Sequence, residues 1–224
     1  GAGHNLLGAV FGALLKKMPT FEEQSQNSRF VIMKKSPVSL TVNFDPFTQY
    51  PVVQMHQKPA GIKKEIPTYK LAVALGLKIE DLDSNDFVPT IVETEVAHTM
   101  VPIKNSQILN SIVPDHKLLI EISKEYKSEG FYCFTISNQN EGNIAETRFF
   151  NPAIGIYEDP ATGTAAGPLI GFLTSKKQAK LNTEYKILQG VKLNQPSIIE
   201  VMTRENDILV GGSSIITMKG ELYI

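Results

Sequence analysis

Two segments of the sequence place glycine directly before a run of small and apolar residues, a pattern typical of a helix N-terminus. They are residues 1–8 (GAGHNLLG) and residues 162–168 (TGTAAGP). The first amide groups of a helix have no partner within the helix, and glycine lets a carboxylate or phosphate approach them closely. Two such helix starts could hold one acidic substrate from both sides. The alternative is that the small residues only permit tight helix packing.

A pair of carboxylates precedes the second helix start. Glu158 and Asp159 stand before Pro160, so one carboxylate can point into a pocket lined by the amides of Gly163 and Thr164. A carboxylate at that place can exchange protons with a substrate or orient an imidazole. The alternative is that the pair caps the N-terminus of the helix.

The other reactive side chains give weaker signals. Cys133, the only cysteine, lies in an alternating apolar strand pattern, where a buried and unreactive thiol is expected. His56, His98 and His116 lack the i, i+3 or i, i+4 spacing of metal ligands, so we expect surface or satisfied structural roles and no metal site. Arg148 could pair with a substrate carboxylate or form an ion pair at the end of a strand.

The helices and strands predicted from the sequence, which must position these residues, indicate an α+β fold. Helices are predicted at 6–17, 66–75, 106–112, 116–126 and 164–177. Short runs of β-branched and aromatic residues predict strands over most of the remaining chain, and 58–64 is interpreted as a linker. The order of strands and helices does not repeat a βαβ unit, which favours α+β or a mixed α/β sheet.

Composition and charge exclude several classes of protein. The 224 residues are 42 % hydrophobic and 20 % charged, enough for a sizeable core and unlike a disordered chain or a coiled coil. A formal net charge of −1 gives no positive field for nucleic acid or an anionic membrane, so neither is an expected partner. The apolar stretch 2–15 is too short to span a bilayer. With a single cysteine and no signal-peptide pattern, the expected location is the cytoplasm.

Taken in chain order, the motifs resemble the phenazine-biosynthesis PhzF-like isomerases, which have the diaminopimelate-epimerase fold. The resemblance rests on the helix start at 3–4 (GH), the long motif at 148–166 (RFFNPAIGIYEDPATGTAA), and the pairs at 189–190 (QG) and 211–212 (GG). It implies two similar lobes, each a curled mixed sheet around a central helix. The active site of that fold lies between the N-termini of the two central helices.

Matched position by position, the resemblance implies which residues form the site. His4, Asp159 and Thr164 correspond to the family's site histidine, aspartate and serine, and they are the predicted catalytic residues. The predicted substrate-binding residues are Gly3, Asn5, Gly163 and Ala165. A racemase of this fold that uses paired thiols has cysteines at both helix starts. Ala2 and Thr164 stand there instead, so carboxylate and imidazole chemistry is expected.

The resemblance implies a homodimeric isomerase or epimerase that moves a proton on a small carboxylate-bearing metabolite without a cofactor. Family members carry a Ser-Glu-Thr segment ahead of the Gly-His start, and its glutamate is the main acid/base. Residues 1–224 contain no counterpart of this segment. We therefore expect an incomplete first lobe at 1–58 and a C-terminal lobe at 59–224. A missing N-terminal segment or a partner copy would cover the first lobe.

A second function from a different class stays open. The chain could be a catalytically inactive homologue that serves as a ligand-binding or protein-interaction module. An in-frame segment upstream that resembles Ser-Glu-Thr would favour the enzyme, whereas a start codon at Gly1 would favour the binding module.

Overall fold

The computed structural model describes residues 3–18, 28–33, 36–82, 87–137, 142–218 and 220. They form helices and a large mixed sheet, which confirms the predicted α+β class. The described residues divide into two compact units, one of residues up to 56 together with those from 211 onward, the other of 57–210. The lobes at 1–58 and 59–224 stay a prediction; the two compact units separate near the same place, after residue 56, and the first also includes the residues from 211 onward.

The first unit contains a helix that packs on antiparallel strands. Its elements are α1 (Gly3–Leu15), β1 (Ser28–Met33), β2 (Ser36–Phe44) and β3 (Pro51–Gln57). The strands pair in the order β1-β2-β3, and Val10 and Phe11 of α1 share a buried cluster with Leu40 and Val53 of the sheet. The edge strand β1 exposes Ile32. Cover of this lobe by another segment or a second copy stays a prediction.

The second unit is organised by a mixed sheet. Its strands are β4 (Gly61–Glu65), β5 (Thr90–Glu93), β6 (Ala97–Pro102), β7 (Phe131–Ile136), β8 (Ala145–Asn151), β9 (Ile156–Asp159), β10 (Tyr185–Gln189), β11 (Ser197–Thr203) and the first half of β12 (Ile208–Ser213). The strand order is β12-β11-β10-β8-β7-β6-β5-β4, and β9 pairs with β8 outside that path. The pairs β6–β7 and β8–β10 are parallel.

Helices cover both faces of this sheet. They are α2 (Thr68–Leu75), α3 (Ser106–Ser111), α4 (His116–Tyr126) and α5 (Gly163–Ser175). Strand β7 shows the two-sided burial most clearly, because Tyr132 and Phe134 pack into the cluster of α5 while Phe131 and Cys133 pack into the cluster of α2 to α4. As expected, Cys133 is buried, and burial raises the pKa of its thiol. No helix within the described ranges has the length and apolar character that a membrane crossing requires.

Two sequence interpretations of loops are wrong. The predicted linker at 58–64 contains most of β4, which pairs with β5 at one end of the strand order. Apart from Gly61 the residues of β4 are exposed, so the strand shows no alternation of apolar and polar residues. The proline and glycine residues of the segment 151–163 predict a loop, but this segment likewise contains β9, a strand of four residues.

His98 is a buried titratable group. Neither of its ring nitrogens has a hydrogen-bond partner among the described residues, contrary to the expected satisfied role, and the ring packs edge-on against Phe149 with centroids 5.3 Å apart. Burial lowers the pKa of His98 from 6.5 to about 4. The folded state therefore binds fewer protons here than the unfolded state between those two pH values. The contribution of neutral His98 to the unfolding free energy is therefore fully present above pH 6.5 and is lost as the pH falls towards 4.

We expect His98 to cost the protein about 2–3 kcal/mol of unfolding free energy between pH 7 and pH 4.5. Urea unfolding at several pH values measures this loss. His98→Leu should remove most of it, because no proton is then taken up on unfolding at this position. His116→Leu, which replaces a half-buried histidine, is the matched control. Equal pH slopes for wild type and His98→Leu would contradict the assignment.

Candidate functional site

The predicted site residues fall in both units. Residues 3–5 form the first turn of α1 in the first unit, and Asp159, Gly163 and Thr164 lie around the start of α5 in the second. Asn5 is exposed. The side chain of His4, like residues 1 and 2, lies outside what the structure describes. A single site formed by the two helix starts therefore stays a prediction.

The start of α5 presents two amides that can bind an anion. The carbonyl oxygen of Thr162, the residue before the helix, accepts hydrogen bonds from the amides of Ala165 and Ala166 at 3.1 and 3.0 Å. No hydrogen bond in the described part of the chain uses the amides of Gly163 and Thr164, and both residues are half-buried. The amide of Ala165 is already bonded to Thr162 and its side chain is buried in the core, and its role in substrate binding stays a prediction.

Asp159 lies beside this helix start, at the end of β9. Its Oδ2 oxygen accepts a hydrogen bond of 2.6 Å from the Oγ1 hydroxyl of Thr162. Thr162 is the N-cap residue of α5, and its side chain makes no capping hydrogen bond. The described contacts of the Asp159 carboxylate therefore go to the hydroxyl of the turn and not to a helix amide, contrary to the capping alternative.

Glu158 is occupied by Arg148. The Nε and Nη2 atoms of Arg148 donate to the two carboxylate oxygens of Glu158, both at 2.8 Å. The Nη1 atom of Arg148 donates to the carbonyl oxygens of Leu109 and Ile112, and the guanidinium lies 5.0 Å from the ring centre of Phe150. Arg148 therefore forms the ion pair that was one of its two predicted roles, and its donors are not directed at a substrate.

Small residues in α5 serve packing at some positions and leave access at others. A Cβ at Gly167 would overlap the side-chain amide of Gln57, and a Cβ at Gly171 would overlap the Cβ of Ala60. A Cβ at Gly163 would meet only the Cγ1 of Val210, at an ordinary 3.5 Å. The packing alternative therefore explains Gly167 and Gly171 but gives no reason for glycine at 163.

Two buried glutamines that hold the site were missed by the sequence analysis. Gln57 donates from Nε2 to the carbonyl oxygen of Gly163 at 3.0 Å, and its Oε1 accepts from Thr94 at 3.2 Å. Gln189 is fully buried and bonds to both Asp159 and Thr162. The sequence feature that could have identified them is a glutamine at the end of an apolar strand pattern. In the case of Gln189, a glycine follows directly.

The described residues offer no ready metal site. Among them, no three His, Cys, Asp or Glu side chains lie close enough together to share an ion. The groups collected at the start of α5 are a carboxylate, two hydroxyls and backbone amides, which suit hydrogen bonding to an organic acid.

Comparison with known proteins gives a consistent family. Residues 2–220 match the family described as phenazine biosynthesis-like protein. An uncharacterized isomerase of Clostridium acetobutylicum is 34 % identical over 172 residues, which are 73 % of this chain and 55 % of that protein. The trans-2,3-dihydro-3-hydroxyanthranilate isomerase of Pseudomonas aeruginosa is 28 % identical over 73 % of this chain and 59 % of its own length. The chain thus spans little more than half of these curated relatives.

Solved structures agree in fold. A phenazine biosynthesis protein of the PhzF family from Bacillus anthracis superposes with a TM-score of 0.83 at 20 % identity, covering 100 % of this chain and 76 % of that one. A hydroxyproline epimerase from Agrobacterium vitis, solved with bound trans-4-hydroxy-L-proline, gives 0.58 at 10 % identity, covering 95 % and 63 %. These likenesses confirm the predicted fold.

Removing Arg148 should destabilise the protein strongly, because the half-buried carboxylate of Glu158, 15 % exposed, would be left without its cation. We expect Arg148→Met to cost about 3–5 kcal/mol of unfolding free energy, measured by urea denaturation. The double variant Arg148→Met with Glu158→Met should recover much of the loss, since no lone charge is then buried. Lys70→Met is the control, because it breaks a similarly short but exposed pair with Glu125 and should change stability little. An equal effect of the two single variants would contradict the interpretation.

Proposed function

Because the chain belongs to the phenazine biosynthesis-like family, whose relatives include isomerases, we propose that it provides the substrate-orienting part of a proton-transferring isomerase. The proposed reaction moves a proton on a small carboxylate-bearing metabolite by acid/base chemistry without a cofactor. The observation that carries the proposal is the start of α5, where two amides that no hydrogen bond among the described residues uses lie next to a carboxylate that accepts a hydrogen bond from Thr162.

The residues at α5 receive separate roles in this proposal. The amides of Gly163 and Thr164 bind the substrate carboxylate, since the N-terminus of a helix favours negative charge and glycine allows close approach. The hydroxyl of Thr164 adds a further donor at the same place. Asp159 accepts a hydrogen bond from the substrate and thereby fixes the orientation of the substrate.

The proton carrier in this proposal is the glutamate of the Ser-Glu-Thr segment that the resemblance implies. Asp159 is assigned orientation because one of its oxygens already accepts the hydroxyl of Thr162 at 2.6 Å. In this proposal the glutamate moves the proton, and Asp159 helps to hold the substrate so that the reacting carbon faces the glutamate.

The substrate class is proposed from the chemistry of the helix start. The name of the Pseudomonas aeruginosa relative identifies a cyclic amino acid as its substrate, and the Agrobacterium vitis structure holds another. Both compounds are small and carry a carboxylate, which is the group that two free helix amides can bind. A compact cyclic carboxylate is therefore the proposed ligand.

Binding tests the helix start. We expect 3-hydroxyanthranilate, a stable aromatic relative of the substrate named above, to bind the protein and shift the amide signals of Gly163 and Thr164 in NMR spectra. Gly163→Val should weaken binding about tenfold to hundredfold, because its side chain blocks bonds to a charged carboxylate. Gly163→Ala should weaken it less and should keep its melting temperature, since a Cβ at this position meets only Val210, at an ordinary 3.5 Å. Unchanged affinity in Gly163→Val would contradict the site.

Turnover tests the role of Asp159. With trans-2,3-dihydro-3-hydroxyanthranilate as substrate, we expect residues 1–224 alone to bind it without catalysing exchange of its ring hydrogens in D2O, as followed by NMR. Asp159→Asn should weaken binding only a few-fold, about the effect of one altered hydrogen bond. Measurable exchange by residues 1–224 that Asp159→Asn abolishes would instead make Asp159 the acid/base. Binding without exchange that persists when a Ser-Glu-Thr segment is supplied ahead of residue 1 would favour the ligand-binding alternative.

A further inference from the structure

We propose that Gln189 is a positioning residue that sets the orientation of Asp159 and fixes the turn at the start of α5. The proposal rests on the proposed function, because it concerns how that site is kept ready for a ligand. Gln189 is the last residue of β10, and its side chain is fully buried beneath the turn.

The side-chain amide of Gln189 uses all of its hydrogen-bonding capacity. Its Oε1 atom accepts from the backbone amide of Thr162 at 3.1 Å and from the hydroxyl of Tyr132 at 2.9 Å. Its Nε2 atom donates to the carbonyl oxygen of Asp159 at 2.7 Å and to Oγ1 of Thr162 at 3.0 Å. A carboxamide offers two donors and two good acceptor positions, so no capacity is left over.

The identity of the two amide atoms follows from the partners. The atom facing the backbone amide of Thr162 must accept a hydrogen bond, and the atom facing the backbone carbonyl of Asp159 must donate one. A flipped amide would place two donors against each other and two acceptors against each other. Glutamate at 189 would accept at both positions and could not donate to either partner in the turn.

This arrangement decides where the hydroxyl proton of Thr162 points. Its Oγ1 atom accepts from Gln189, so its single hydrogen is directed to Oδ2 of Asp159 at 2.6 Å. That distance is typical of a hydroxyl bonded to a carboxylate. Gln189 thus holds Asp159 in two ways. It bonds directly to the backbone carbonyl of Asp159, and through the hydroxyl of Thr162 it fixes the direction of the hydrogen bond to Oδ2 of Asp159.

The residue after Gln189 brings the same strand end close to the turn. Gly190 has a φ of +83°, and a Cβ there would lie 2.3 Å from the carbonyl oxygen of Gln195 and 2.8 Å from that of Pro160. A larger residue would be strained in this conformation and would overlap both carbonyl oxygens. Gln189 therefore bonds to two residues of the segment 159–162, and Gly190 lies close to a third, Pro160.

The remote end of the network supplies a matched control. Tyr132 lies on β7 and donates to Oε1 of Gln189, while Thr147 donates to the Tyr132 hydroxyl at 3.1 Å. Tyr132→Phe removes two hydrogen bonds from the buried network, those of its hydroxyl with Gln189 and Thr147, but leaves all bonds between Gln189 and the turn. Gln189→Met keeps a similar volume and removes every bond to the turn.

The experiment combines two readouts on these variants and on Thr162→Val and Thr162→Ser. The rotamer of Asp159, read from three-bond couplings in NMR, needs no ligand. The affinity for 3-hydroxyanthranilate is measured by titration at least about 20 °C below each melting temperature, so that loss of fold does not contribute.

We expect Gln189→Met and Thr162→Val to release Asp159 into several rotamers and to weaken binding about tenfold, with non-additive effects in the double variant. Tyr132→Phe and Thr162→Ser should keep one rotamer and near wild-type affinity, although Tyr132→Phe lowers the melting temperature. An unchanged Asp159 rotamer in Gln189→Met, or equal effects of Gln189→Met and Tyr132→Phe, would overturn the proposal. If wild type does not bind the probe, the proposed function fails for this ligand, and the rotamer readout alone decides the role of Gln189.

Discussion

The segment 151–163 depends on buried hydrogen bonds more than on regular structure of its own. Arg148 holds Glu158 through a two-pronged ion pair, and Gln189 bonds to the residues on both sides of the next turn. Both side chains reach the segment from strands of the central sheet and are almost completely buried. Because an unpaired polar group is costly in such surroundings, these bonds favour one conformation of the segment over alternatives.

The frame under this segment is a sheet covered on both faces. Strand β7 contributes side chains to two separate clusters, and α5 is buried along most of its length by the first of them. Glycine at 167 and 171 lets α5 approach Gln57 and Ala60, whereas glycine at 163 serves no such contact. One helix of small residues thus combines close packing in its body with accessible amides at its start, which is the combination that binding an acidic ligand requires.

Much of the architecture could be predicted from local patterns. The helix that ends at Leu75 and is stopped by Gly76, the two-sided strand around Cys133 and the buried helix after Gly163 all carry their signals in neighbouring residues. The family could also be predicted, because the motif at 148–166 is continuous in the chain. The exposed edge strand β4 was missed, since pairing on one side leaves no alternation of apolar and polar residues.

The sequence by itself determined the fold class, the family and the residue types at the start of α5. Only the tertiary structure decided how those residues are used: Arg148 pairs with Glu158 instead of facing a substrate, Ala165 packs in the core, and Gln189 directs the hydroxyl of Thr162 to Asp159. These partners are 10 to 30 residues apart in the chain and meet because three strands of one sheet bring them together. Such contacts leave no periodic signal, because a buried hydrogen bond depends on the register between strands, which local sequence does not encode.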